Sequence, residues 1–186
     1  MTLKEMKTKT LGLIEELNPN HKALTDDPDI AAKIEDVITQ IMFELARLKK
    51  IPGYVEMKVN AGDLIQFEDI ADEAEHEVYQ IGIVRGVEYE MKAQGTVIKV
   101  LESGTAEIDY FRYPTRITDK NREKYTFELS DDALEIMPYG VAGDLLKSDV
   151  STNYGRIYAD RYESMKQLLD PRYAMTSVRI EGGWDI

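Results

Sequence analysis

The sequence predicts an α+β fold: a mainly helical core of about four helices with an inserted, small antiparallel β-rich excursion. Three observations predict it. Residues 28–50 carry a continuous apolar stripe at helical spacing. Residues 54–114 change to alternating apolar and polar positions punctuated by turn residues. Residues 130–169 return to helical spacing, now rich in tyrosine and small residues. The organisation expected is one domain, 1–186, with a helical part at 1–53 and 130–170, the β-rich excursion at 54–129 and a tail at 171–186.

The elements follow in order. Residues 2–17 read as a helix, because Thr2 and Glu5 have capping-box spacing and Leu3, Met6, Leu13 and Leu17 fall near one face. "NPNHKALTDDPD" breaks it. The second helix starts after Asp27, with Pro28 suited to a first turn, and carries Ile30, Ile34, Val37, Ile38, Ile41, Met42, Leu45 and Leu48. Arg47, Lys49 and Lys50 complement its C-terminal dipole. "YVEMKV" alternates as a strand, with Val55, Met57 and Val59 on one side. "VYQIGIVRGVEYEMKAQ" and "GTVIKVLESGTAEIDYFRYP" read as a small meander or two hairpins. "TRITDKNREKYTFEL" reads as an exposed loop leading into a short strand. Ser130 and Asp131 open a third helix that runs to about Asp149, with Pro138 implying a kink or a later start. A fourth helix, capped by Ser151 or Thr152, runs to Leu169 with Tyr154, Ile157, Tyr158, Tyr162, Met165 and Leu169 on one side.

Composition narrows the function classes. The 186 residues hold 23 basic and 35 acidic side chains, a net charge of −12, which argues against sequence-independent grip on a phosphate backbone. There is no cysteine, hence no disulfide framework and no thiolate nucleophile or ligand. The first residues are charged throughout, unlike a signal peptide, and no run has the length to span a bilayer. A soluble, intracellular protein with no membrane association is expected.

Catalytic signatures are missing from the sequence. His21 and His76 stand in unrelated contexts, and no Gly-x-Ser-x-Gly elbow places a serine. "DDPD" at 26–29 lacks the glycine and distant glutamate of a calcium loop, and no glycine-rich phosphate loop occurs. The expectation is a protein that is not an enzyme and uses no metal or cofactor.

Surfaces are the remaining source of function. Gly140 and Gly143 flank Ala142 in the third helix and permit close backbone approach, although each costs about 1 kcal/mol of helix stability. Tyr154, Tyr158 and Tyr162 follow at i, i+4 and i+8, interleaved with Arg156 and Arg161, a composition enriched in interfaces. The tyrosines are expected to pack partly on the second helix. The third helix has small or apolar residues on more than one side, so one side is expected to serve the core and another a neighbouring subunit. Tyr139, Gly140, Gly143, Tyr154, Arg156, Tyr158, Arg161 and Tyr162 are the candidate interface residues. A second surface stands out: residues 60–90 hold nine acids against one base, Arg85. Its centre, Glu68, Asp69, Asp72, Glu73, Glu75 and Glu77, reads either as a solvated face or as a surface that repels a polyanion.

The order "DYFRYPTRIT", "FELSDDALEIMPYGVAGDLLKSD" and "YGRIYADRYESMKQLLDPR" resembles the head–tail connector (adaptor) proteins of tailed bacteriophages. The matching positions are Tyr110 to Pro114, Leu129 to Asp132, Pro138 to Leu146 and Tyr154 to Leu169, about the last half of the chain. The resemblance implies a virion structural protein, made in the bacterial cytoplasm, that forms a homo-oligomeric ring, a dodecamer, beneath the portal protein. Such a ring continues the DNA channel and docks a neck or tail protein. It implies that DNA passes the acidic surface without specific binding, and that the tail, with Val178, Ile180 and Trp184, reaches the portal as an added strand. A tail-completion or baseplate component uses the same ring logic; a soluble non-viral binding or regulatory protein is the reading from another class.

Overall fold

The structure, a computed structural model, describes residues 1–16, 25–147 and 153–169. Among these residues are five α-helices and six strands: α1 (Leu3–Leu13), α2 (Pro28–Leu48), β1 (Ile51–Val59), β2 (Leu64–Ile65), α3 (Phe67–Ala74), β3 (Val78–Arg85), β4 (Tyr89–Lys92), β5 (Val97–Val100), β6 (Gly104–Arg112), α4 (Asp131–Leu145) and α5 (Tyr154–Leu169). The class is α+β.

Local chemistry sets the helix starts. The Thr2 hydroxyl accepts from Glu5 N while the Glu5 carboxylate accepts from Thr2 N, a complete capping box on α1. The Asp27 carboxylate accepts from both Asp29 N and Ile30 N, and Pro28 occupies the first turn of α2, where no donor is needed. Asn153, ahead of α5, accepts from Ile157 N through its carbonyl. The Ser151 and Thr152 caps and the loop around His21 lie outside the described residues.

Two buried clusters divide the chain. The first joins α1, α2, α4 and α5 through Met6, Leu11, Ile38, Met42, Leu45, Met137, Val141, Tyr162 and Leu169, with Tyr125, Phe127 and Leu129 from the segment before α4. The second is formed by the β-rich part and includes Val55, Ile65, Ile70, Val84, Ile98, Val100, Ile108 and Tyr110. "Mainly helical" therefore understates the excursion, which has a core of its own.

That core is enclosed by two three-stranded antiparallel sheets, ordered β1-β6-β3 and β2-β5-β4. This corrects the expected meander or pair of hairpins. Only β4 and β5 pair as sequence neighbours; β3 and β4 lie in different sheets, as do β5 and β6. The chain leaves the first sheet at Gly86, whose φ of 83° carries it across. A Cβ there would meet the Thr105 carbonyl oxygen at 2.4 Å, so glycine alone fits.

The fifth helix is α3, inside the acidic stretch. Phe67, Ile70, Ala71 and Ala74 recur at helical spacing and pack on the sheet core, and this narrow apolar edge suffices to fold eight residues. Pro138 sits within α4 and is buried, so the helix starts ahead of it at Asp131.

Candidate interaction surfaces

The α4–α5 pair is held by three close approaches. A Cβ on Gly140 would stand 2.9 Å from two ring carbons of Tyr162, one on Gly143 2.9 Å from Ala159 N, and one on Gly155 2.8 Å from the Leu146 carbonyl oxygen. Gly140 and Gly143 thus serve contacts within the chain, between α4 and α5. α4 also packs on α1 and α2, and its small and apolar positions from Ala133 to Gly143 are buried apart from half-buried Tyr139. A second free side on α4 is not observed among the described residues.

The tyrosines divide between two faces of α5, which corrects the single stripe expected from the sequence. Tyr162 is buried against Gly140, and Tyr158, Met165 and Leu169 also turn inward. Tyr158 donates to the Leu13 carbonyl at the end of α1. Its ring lies 6.4 Å from that of Tyr139, over which the Arg161 guanidinium stacks at 4.3 Å. The tyrosines consequently pack on α4 and the end of α1 more than on α2. The Tyr162 hydroxyl has no hydrogen-bond partner among the described residues. Burial, and then the Glu44 and Glu163 carboxylates, push it far above the ordinary phenol range. Lys166 bridges those two carboxylates to tie α5 to α2; burial opposes its charge, but the two acids outweigh it and raise its pKa.

On the outside of α5, Tyr154 is 60% exposed, Ile157 55% and Leu168 79%. With Arg161 they lie at steps of three, four and seven, on one flank of the helix. Arg156 is exposed and, among the described residues, pairs with Asp160 on its own helix at 3.7 Å. The structure thus brings Tyr139, Tyr158 and Arg161 together at the rim and leaves Tyr154, Arg156 and Ile157 facing solvent.

The six candidate acids are all exposed on and just after α3, and they are not equivalent. Asp69 accepts from Gln66 N at the helix start. Glu75 closes the helix in the left-handed region, φ 56°. Glu77 pairs with Arg116 at 3.1 Å. Glu68, Asp72 and Glu73 have no ion-pair partner among the described residues.

Sequence reasoning passed over the seam between the two cores. Phe43 stacks on Tyr113 at 5.0 Å and Tyr79 lies against Tyr113 at 4.7 Å. The Arg47 guanidinium donates to the Tyr113 hydroxyl, and Arg116 covers the Phe43 ring at 4.8 Å. Tyr79 donates to the Ala46 carbonyl, and burial raises its pKa. The available signal was Tyr113 in "DYFRYP", an aromatic placed directly after the last strand.

Beside this seam a cleft of about 600 Å³ opens, lined by Leu48, Lys49, Lys50, Ile51, Pro52, Glu128, Leu129, Ser130 and Leu169. Val178, Ile180 and Trp184 lie outside the described residues. Among the described residues no group of three or more His, Cys, Asp and Glu side chains could hold a metal ion, and no helix is long and apolar enough to cross a membrane. No family model matches the chain, and no curated protein matches it.

Proposed function

We propose that the protein is a structural component of a phage or prophage virion: a head–tail connector that assembles as a ring under a portal protein and docks a neck or tail protein. The observation that carries this reading is the outer flank of α5. Tyr154, Ile157 and Leu168 put three large apolar side chains into solvent on a helix whose opposite side is already packed. A copy of the same chain is the partner this reading gives that flank, with Arg161 within it. Unlike patches on identical subunits, joined head to tail, close into a ring when the rotation permits.

Two further features support the reading. The segments that carry the family resemblance are consecutive in the fold: the end of β6, the α4 start, and the α4–α5 pair glued by Gly140, Gly143 and Gly155. The exposed acids of α3 suit a wall past which DNA slides, since like charge keeps a polyanion from adhering.

Light scattering on the purified protein, alone and mixed with portal protein, tests the reading. A ring-sized species or co-migration with the portal is expected. A monomer at high concentration that also ignores the portal refutes it.

A further inference from the structure

We propose that the cleft between the α2–β1 corner and the start of α4 is the docking site of this chain's own Trp184–Asp185, bound in cis. The inference is independent of the connector reading.

The cleft's chemistry selects the occupant. Leu48, Ile51, Pro52, Leu129 and Leu169 form an apolar lining, and Ile51, Leu129 and Leu169 belong to the buried core beneath it. A cleft of about 600 Å³ accommodates an indole together with its neighbours. Its rim is cationic. Lys49 is engaged with Asp132 at 2.7 Å, but Lys50 meets no carboxylate among the described residues: its ammonium donates to Gln80 and rests 4.8 Å over the Phe111 ring. The one acid in the lining, Glu128, is taken by Arg112 at 2.9 Å and by Thr115 N. Lys50 therefore presents a positive charge beside an apolar trough, the complement of a tryptophan followed by an aspartate. "GGWDI" at 182–186 supplies that pair, and Trp184 is the chain's one tryptophan.

The exit point of the chain makes the contact local. Leu169, where the described residues end, lies in the cleft wall itself. The fourteen residues from 170 to 183 separate it from Trp184. Fourteen residues can reach at most ~46–50 Å, so their length permits Trp184 to return to the cleft. A contact made within one chain needs no second molecule, so its occupancy does not depend on protein concentration.

The composition of the chain makes the test direct, because one tryptophan and no cysteine give a single reporter and a free choice of label position. In the full-length protein, Trp184 emission is expected to be blue-shifted from that of free indole and several-fold less accessible to acrylamide. A nitroxide on Pro52→Cys, at the exposed cleft rim, should quench it by contact, and one on Lys58→Cys, toward the far end of β1, should not. Lys50→Glu should raise acrylamide access several-fold, and Lys50→Glu combined with Asp185→Lys should restore protection. Circular dichroism verifies that each variant is folded. An accessible indole in the wild type overturns the proposal, as does equal quenching from both label positions. Quenching that fades on dilution assigns the contact to a second copy and overturns binding in cis.

Discussion

Replacing Gly143 with alanine isolates the close approach on which the α4–α5 pair depends. The added methyl would stand 2.9 Å from Ala159 N, 3.1 Å from its Cα and 3.2 Å from its Cβ. Two of these atoms are backbone and the third is a Cβ fixed to it, so nothing can rotate away. Nor can α5 withdraw freely: Gly155 sits against the Leu146 carbonyl and Tyr162 lies over Gly140, so a shift large enough for the methyl disturbs all three contacts. Against this, alanine returns about 1 kcal/mol of helix propensity. Overpacking of this kind costs about 1–3 kcal/mol, and contact with rigid backbone places the cost at the upper end. The net is a loss of about 1–2 kcal/mol. For a chain of this size the midpoint of thermal unfolding should fall by about 2–8 °C. Gly12→Ala is the internal control, because Gly12 lies in α1 and, among the described residues, nothing beyond the adjacent backbone of its own helix comes within 4 Å of its would-be Cβ. It gains propensity without the clash and should raise the midpoint by about 1–4 °C. Differential scanning calorimetry on both variants decides. If Gly143→Ala matches or exceeds the wild type while Gly12→Ala rises, the helices are not as close as described and the reasoning fails.

Three other outcomes are expected. Burial works against the charge on Glu128, but Arg112 and the Thr115 N–H outweigh it and hold the carboxyl below its ordinary 4.5. A depressed carboxyl stabilises the fold above the unfolded value and loses that contribution as pH falls through the folded one. Glu128→Gln should thus flatten the acid limb of stability against pH and cost about 1–3 kcal/mol at neutral pH in urea unfolding; an unchanged profile excludes this role. Tyr162→Phe should be neutral or slightly stabilising, since it removes a buried hydroxyl that has no hydrogen-bond partner among the described residues, whereas Tyr125→Phe should cost about 1 kcal/mol because that hydroxyl donates to the Thr115 carbonyl. Equal losses for the two tyrosines would contradict the assigned hydrogen bonding. Ile157→Glu combined with Leu168→Glu should leave unfolding within about 0.5 kcal/mol of wild type yet abolish the ring-sized species in light scattering. A ring that survives both charges places the subunit contact elsewhere.

The parts of the fold legible in the sequence are those whose cause is local. Thr2 with Glu5, and Asp27 with Pro28, each satisfy helix-end donors a few residues away, so the starts of α1 and α2 follow from a short window. Strand pairing has no such window. β6 lies between β1 and β3 because Ile108 and Tyr110 complete a core with Val55 and Ile81, partners far apart in sequence that no alternation pattern names. α3 was obscured by its charge: with six acids on and beside it, the stretch reads as solvent-facing, and only the spacing of Phe67, Ile70, Ala71 and Ala74 betrays a buried edge.

The α5 surface was legible by composition and misassigned by geometry. Residues at i, i+4 and i+8 are not on one line, because each four-residue step turns an α-helix ~40° past a full rotation. Tyr154, Tyr158 and Tyr162 therefore wind around the helix, from an exposed position to one within the core. Which end of that winding is buried is decided by α4, where Gly140 alone leaves room for a ring and Gly143 alone leaves room for the Ala159 backbone. The glycines, read as an invitation to a neighbouring subunit, instead fix the rotation of α5 about its axis. By fixing it they turn Ile157 and Leu168 outward, so the same contact that closes the core also sets which residues a partner can meet.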